Sequence, residues 1–311
     1  TRMDDWHRSH GATFEHVGQW MRAWYYPQDG ETMAEAVNRE VLAARTTAGL
    51  LDASTLGKID IRGPDAAEFL NRVYTNGWSK LAVGRCRYGL MLKDDGMVMD
   101  DGVTTRLNKN HYHMTTTTGG AAYVLDWLEE WLQTEWPDLQ VYLTSVTEQW
   151  AVATLSGPSA NKILQDAGID IDLSPTSFPF MSMQNCHIGG LPARVFRISF
   201  TGELSYEINV AARHGLAMWT HLMKSGSAHG ITPYGTEAMH VLRAEKGFII
   251  VGQETDGSVT PPDLGMDWIV SKAKPDFIGK RALARTTMAY DDRKQLVGLK
   301  TKDPKKVIPE G

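Results

Sequence analysis

The sequence predicts an α+β fold built from two related halves. A strand followed by Gly-Pro and then a helical pattern occurs twice, at Gly63-Pro64 and again at Gly157-Pro158, some ninety residues apart. Between and around these units, short runs with strand character stand beside windows with the 3.6-residue apolar spacing of helices. The composition is that of an ordinary folded protein: 42% hydrophobic and 22% charged over 311 residues, enough chain to bury large cores.

The elements follow in order. Aromatic, His and Gly residues crowd the first thirty positions, among them Trp6, His7, His10, Trp20, Trp24, Tyr25 and Tyr26. A helix is expected over Met33–Ala48. Thr32 and Glu35 form its capping box, Gly49 supplies the stop, and Val37, Val41, Leu42 and Ala44 form its buried stripe. Lys58–Ile61 reads as a strand, and Gly63-Pro64 opens a helix through Phe69, Leu70 and Val73, since proline loses nothing in a first helical turn. Gly89–Leu107 reads as a hairpin turned by Lys93-Asp94-Asp95-Gly96. Tyr112–Thr118 is a further strand. Ala121–Thr134 is a helix with Val124, Leu128, Trp131 and Leu132 inward, ended by Pro137. In the second half, Val152–Leu155 is a strand and Gly157-Pro158 opens a helix through Ile163 and Leu164. Ala193–Phe200 and Tyr206–Val210 flank the turn Thr201-Gly202-Glu203, and helices are expected over Leu216–Met223 and Glu237–Glu245, the latter stopped by Gly247. Gly252–Trp268 is irregular, and a last strand begins near Gln295.

A formal net charge of −5 argues against a nucleic-acid partner, which rewards a basic face. Cys86 and Cys186 are far apart and lack CxxC spacing, so reduced thiols and a cytoplasmic setting are expected. The start at Thr1 and the end at Gly311 read as cuts within a longer polypeptide. No GxGxxG follows a strand, and no Walker loop, HExxH or GxSxG is present. His7/His10 and His111/His113 are close pairs without the carboxylate or Cys partners of a metal site, so no metal is expected.

Three segments can carry chemistry. In Tyr88–Val103, strand alternation sets Met97, Met99, Asp101 and Val103 on one face and Val98 and Asp100 on the other. A carboxyl among apolar neighbours suits a flat ligand with a proton to manage; a surface Asp pair closing a hairpin is the plainer reading. In Phe200–Glu207, Glu203 and Glu207 share a face if the strand continues, and a carboxylate there can accept two hydrogen bonds from an amino-pyrimidine edge; an exposed charged strand is the plainer reading. In Leu242–Asp256, Arg243 and Glu245 end a helix, as an ordinary salt-bridged terminus does.

Taken together, these segments resemble the aminomethyltransferase (T-protein) family of folate enzymes. The matching pieces are His10-Gly11-Ala12 with Gly18 and Trp20, Arg45–Ser54, the Tyr88–Asp101 hairpin, the Gly-Pro helix start, Thr201-Gly202-Glu203 with Glu207, Leu242-Arg243 with Glu245 and Gly247, and Gly252, Asp256, Thr260, Pro261, Gly265 and Trp268. They run in order over some 260 residues. The phrases DASTLGKI, TEQWAVATLSGP, RISFTGELSYEI, PYGTEAMHVLRAEKG, VGQETDG and DFIGKR are similar to one branch, the C-terminal part of heterotetrameric sarcosine oxidase α subunits.

The resemblance implies the T-protein folate-binding fold: a first α+β domain over 1–150, a second over 151–290, and the start of a C-terminal β-barrel domain over 291–311. It implies that Asp101 is the catalytic carboxylate, Tyr88 and Leu56 are pocket-wall residues, and Glu207 binds the pteridine. Thr116 stands where glycine-cleavage members have Asn, His240 where they have a folate-contacting Arg, and Arg243 matches a second arginine. It implies tetrahydrofolate as the cofactor of this chain, FAD or FMN and NAD on other segments or subunits, and the β, γ and δ subunits of a sarcosine oxidase as partners. The implied activity is conversion of the imine-level product of sarcosine oxidation to 5,10-methylenetetrahydrofolate. A stand-alone folate-dependent aminomethyltransferase or demethylase, and a non-catalytic folate-binding assembly module, remain alternatives.

Overall fold

In a computed structural model, residues 1–290, 292–303 and 306 are described. The chain opens with α1 (Asp4–Ser9) and the hairpin β1 (Thr13–Val17) and β2 (Trp20–Tyr25), followed by α2 (Met33–Thr46). The capping box forms as expected: the Thr32 hydroxyl accepts from the Glu35 N–H, and the Glu35 carboxylate accepts from the Thr32 N–H. The helix stops at Thr46, before Gly49. Gly49 instead lies in β3 (Ala48–Asp52), packed so closely against Tyr234 that a Cβ would stand 2.6 Å from its ring. Leu42 is also not in the buried stripe: it is exposed, while Ala36, Val37, Val41 and Ala44 face inward with the Glu40 carboxyl. Glu40 accepts the Tyr26 and Gly235 N–H groups at 2.7 and 2.9 Å, which ties the hairpin to the second half.

The first half then runs β4 (Gly57–Arg62), α3 (Ala66–Val73), β5 (Cys86–Leu92), β6 (Val98–Asn108), β7 (His111–Thr116), α4 (Ala121–Thr134) and β8 (Tyr142–Ser145). The second half runs β9 (Trp150–Ser156), α5 (Ala160–Asp166), β10 (Ser182–Ile188), β11 (Leu191–Arg197), β12 (Ser205–Ala211), α6 (Gly215–Gly226), β13 (Ile231–Pro233) and α7 (Thr236–Lys246), with the single turn α8 (Lys280–Leu283) beyond. Beside the two-stranded β1-β2 hairpin, two larger sheets result, one of order β5-β6-β7-β4-β8 and one of order β10-β11-β12-β9-β3-β13.

The repeated Gly-Pro unit is real at the level of backbone geometry. Gly63 follows β4 with φ +135° and Gly157 follows β9 with φ +127°. Both values lie where only glycine is comfortable. Each chain then turns through Pro and a polar residue into its helix, whose apolar face covers its own sheet. Phe69, Leu70 and Val73 of α3 join Val124 and Leu128 of α4 over Ile59, Ile61, Tyr112 and Met114. Ile163 and Leu164 of α5 join Met218, Trp219 and Leu222 of α6 over Ala153, Leu155 and Ile208.

The halves interleave rather than divide at residue 150. Although it precedes that point, β3 pairs with β9 and with β13 in the second sheet, and Met3 lies in the second core. Val37, Val41 and Ala44 of α2 pack with Tyr234, Ala238 and Leu242. The strand expected from Gln295 is not formed among the described residues; Leu296 instead donates its N–H to Asp263 O at 2.8 Å. Positions 291, 304, 305 and 307–311 of the expected barrel domain lie outside the described residues. No helix among the described residues is long and apolar enough to cross a membrane.

Candidate functional site

A cavity of about 1640 Å³ opens where the two sheets face each other. It is larger than the ~300–1,000 Å³ of an ordinary small-ligand cleft. Its wall comes from both halves: Tyr88 on β5, Asp100, Asp101 and Val103 on β6, Thr115 and Thr116 on β7, Thr154 on β9, Glu207 on β12 and His240 on α7. Leu56, between β3 and β4, adds an apolar contact. The loop at Phe248–Gln253 and the aromatic Trp268 complete the wall.

Asp101 owes its place to the hairpin. Tyr88 pairs with Val103 and Leu90 with Asp101, so Tyr88 and Asp101 are diagonal neighbours. The Tyr88 hydroxyl donates to the Asp101 carboxylate at 2.6 Å. The register then slips: Met91 faces Asp100 while Leu92 faces Val98, leaving Met99 as a bulge. Met97 lies outside β6, whereas Met99 lines the cavity with Asp101 and Val103 and also packs with Tyr74 and Trp78, so one of the two methionines expected beside Asp101 is there. The bulge brings both acids to the cavity wall. Asp100 is held there by the Thr117 N–H at 3.2 Å and the Thr117 hydroxyl at 2.9 Å, just ahead of α4.

The two acids differ in what they can do. Burial pushes the Asp101 carboxyl up to about 7; the Tyr88 hydrogen bond opposes this and the neighbouring Asp100 charge adds to it. A carboxyl poised near neutrality can take or return a proton. Asp100, also pushed upward by burial, is occupied by three hydrogen bonds that resist the shift and fix its position. Removing the Tyr88 hydroxyl in Tyr88→Phe deletes a bond to the ionised form, so the Asp101 pKa should rise further. Infrared titration of the carboxyl band against Asp101→Asn would read this; an unmoved or lower midpoint would contradict it.

Glu207 stands at the other wall. Among the described residues its carboxyl has no hydrogen-bond partner, and burial raises it to about 7, with the Lys58 charge opposing. Lys58 is itself buried and lowered to about 8, its ammonium donating to Ser54 O at 2.9 Å and Leu56 O at 2.7 Å. Glu203 does not share this face. It lies in the turn before β12 and pairs with Arg45 at 2.9 Å.

Thr116 ends β7 opposite Gly57 and is buried on the wall. His240 faces the cavity with Glu237 3.9 Å away, and burial lowers its pKa. Arg243 is not brought to the wall. Its guanidinium donates to Phe248 O at 3.0 Å, Glu254 at 2.6 Å and the Gln253 side chain, and so braces the loop that forms the wall. Three of the four paired histidines are engaged with acids, His7 with Asp52 and His111 and His113 with Asp60, while His10 Nδ1 lies 2.8 Å from Trp6 O. Lys58 and Asp100 were not foreseen as site residues. Lys58 alternates with Ile59 and Ile61 in β4 as Asp60 and Arg62 do, so its pattern alone did not set it apart; Asp100 became visible only through the bulge.

A family model described as the GCVT N-terminal domain matches residues 3–274. The chain is 58% identical, over its full length, to a sarcosine oxidase subunit alpha of Corynebacterium sp. (strain U-96), and covers 32% of that protein. It therefore spans about a third of the length of this relative. It is 31% identical to an aminomethyltransferase of Oceanobacillus iheyensis, over 95% of this chain and 77% of the other. The crystal structure of the glycine cleavage system aminomethyltransferase T from Bartonella henselae superposes with a TM-score of 0.80 at 25% identity, covering 93% of this chain and 74% of that one. The model match across residues 3–274 shows that the chain belongs to the GCVT N-terminal domain family, and the chain is similar to aminomethyltransferases and to a sarcosine oxidase α subunit.

Proposed function

We propose that this chain is the tetrahydrofolate-binding, one-carbon-accepting part of a sarcosine oxidase α subunit, corresponding to that subunit's C-terminal portion. The observation that carries the reading is the pairing of two carboxyls across one large cavity: Asp101, poised near neutrality, and Glu207, without a hydrogen-bond partner among the described residues.

The residues fit a reduced pteridine. Its amino-pyrimidine edge offers adjacent N–H donors, and Glu207 offers a carboxylate that lacks donors. Leu56, Val103 and Phe248 supply apolar wall for the ring. Thr116 and His240 stand on the same wall and offer polar contacts to the ligand. When bound, tetrahydrofolate supplies the nucleophilic nitrogens that receive a one-carbon unit at the formaldehyde level, giving 5,10-methylenetetrahydrofolate.

Asp101 serves as the proton acceptor for a nitrogen near the reacting carbon, a role worth ~10²–10⁴-fold in rate. Tyr88 orients that carboxyl through its 2.6 Å hydrogen bond. Asp100 anchors the strand to the start of α4 and leaves Asp101 free to react. Arg243 acts at one remove, holding the loop at Phe248–Gln253 in place.

The one-carbon unit would arrive from a flavin site on another chain, with FAD or FMN and NAD carried by other segments or by the β, γ and δ subunits. Buried, unpaired Cys86 and Cys186 agree with a cytoplasmic setting. The reading is tested by anaerobic calorimetric titration of the full-length polypeptide with tetrahydrofolate. Saturable binding at one site is the expected result; absence of binding overturns the folate reading.

A further inference from the structure

Behind Glu207 lies a second, much smaller chamber of about 10 Å³. Glu207 belongs to the walls of both spaces, as do Leu56, Val103 and Thr115, so it stands in the partition between them. The polar groups that reach the chamber are Lys58 from β4, Thr105 from β6, His113 and Thr115 from β7, and Glu207 and Asn209 from β12. The threonines are already engaged: Thr105 donates to Cys86 Sγ, and the Thr115 hydroxyl bridges Val103 N and O.

The other four are left short of partners. His113 is buried, and its Nδ1 lies 2.8 Å from Asp60. Burial works against ionisation of Asp60, but hydrogen bonds from His111 and His113 hold its carboxyl well below the usual range. Asp60 is therefore an anion that keeps a proton on His113 Nδ1. That tautomer leaves Nε2 as an acceptor, and Nε2 is buried without a partner among the described residues. The charges around this imidazole are Asp60 and, farther off, Lys58 and Arg194; burial is the largest influence and lowers its pKa, which keeps the ring neutral. Lys58 gives two of its three N–H groups to Ser54 O and Leu56 O, leaving one. The Glu207 carboxyl and the Asn209 amide have no hydrogen-bond partner among the described residues.

We infer that this chamber seats one ordered water, hydrogen-bonded to His113, Lys58, Asn209 and Glu207, and that through it His113 acts as a positioning residue for the Glu207 carboxyl. The volume sits at the threshold of ~10–15 Å³ that admits a single water, so nothing larger enters. Donors and acceptors balance. The water donates to His113 Nε2 and to one Glu207 oxygen, and accepts from the remaining Lys58 N–H and the Asn209 amide. Buried waters typically have about three such partners and are costly to remove. With one oxygen tethered from behind, the carboxyl presents its other oxygen and its edge to the large cavity. The inference rests on the reading of Glu207 as the pteridine ligand.

The test pairs affinity with crystallography on the full-length polypeptide, using tetrahydrofolate as the probe. His113→Phe keeps the ring stacked near Phe196 but has no acceptor, and its Kd should rise about tenfold, the effect of losing a hydrogen bond to a charged group. In His113→Gln the amide N–H can face Asp60 and the carbonyl can face the water, so its Kd should return to within about threefold of wild type. A wild-type crystal structure at about 1.5 Å should show one water between His113 Nε2 and Glu207. A dry chamber, or an unchanged Kd in folded His113→Phe, overturns the inference. If His113→Phe does not fold, the density in wild type and in His113→Gln decides. If Glu207→Ala binds tetrahydrofolate normally, the pteridine reading falls by itself, whatever the chamber holds.

Discussion

Replacing Asp101 with Asn is expected to reduce formation of 5,10-methylenetetrahydrofolate by ~10²–10⁴-fold while leaving tetrahydrofolate affinity within a few-fold of wild type. The substitution is isosteric, and its amide oxygen can still accept the Tyr88 hydroxyl that lies 2.6 Å from the native carboxylate. What is lost is the ability to take a proton. Because burial holds the native carboxyl at about 7, product formation in the wild type should climb as pH rises through that value and level off above it, as the carboxylate form fills. The variant should show no such inflection. Under the proposed function, a one-carbon unit that is not captured should hydrolyse, so released formaldehyde should increase as the folate product falls. The measurement is the ratio of the two products in anaerobic single-turnover mixtures between about pH 6 and pH 8. Unchanged product formation in Asp101→Asn would remove the residue from the chemistry and favour a folate-binding module without a catalytic role.

Much of this architecture was legible because local chemistry and tertiary structure agree. The Thr32/Glu35 capping box, the Gly96 turn between β5 and β6, and the Gly247 stop after α7 each satisfy backbone groups that would otherwise be orphaned. The recurrence at Gly63 and Gly157 was informative for the same reason: both positions need a positive φ, and both have it. The misreadings share the opposite cause. Ala48–Asp52 is a short apolar run directly after a helix, with no alternation to mark it, because as β3 it is flanked on both sides inside the second sheet. Gly49 therefore looked like a helix stop, although its small size serves close packing against Tyr234.

The site shows the same division. Tyr88 and Asp101 face one wall because a hairpin register is a local property. The bulge at Met99 is not, and it brought Asp100 to the wall that alternation had denied it. Leu56, Thr116, Glu207 and His240 are gathered from the β3–β4 connection and three different elements, so only the fold shows that they share a cavity. Arg243 illustrates the reverse. An arginine at a helix end next to a binding loop invites a ligand role, yet its donors go to Phe248, Gln253 and Glu254. Sequence marks the residue type; whether its donors meet a ligand or a loop depends on contacts made after the chain has turned back on itself.

Those contacts give Glu207→Ala the second large expected effect. A carboxylate receiving two N–H groups makes charge-assisted hydrogen bonds, here from a half-buried position on the cavity wall. Removing them should cost roughly 2–3 kcal/mol, or about 30- to 150-fold in Kd for tetrahydrofolate. The pH dependence carries a sign that distinguishes this contact from mere lost volume. Without ligand, burial holds the Glu207 carboxyl at about 7, so it is largely protonated in mild acid. Accepting N–H donors favours the ionised form, so the bound-state pKa must be lower than the free one. Ligand affinity is then greatest above about pH 7 and declines by up to tenfold per pH unit below it, until the bound-state pKa is reached. Lys58, held at about 8 by burial, remains largely charged across most of that window and supports the carboxylate. In Glu207→Ala the Kd should be high and nearly independent of pH between about 5.5 and 8. Calorimetry across that range separates the alternatives: a wild-type Kd as flat as the variant's would mean that Glu207 does not meet the ligand as an anion.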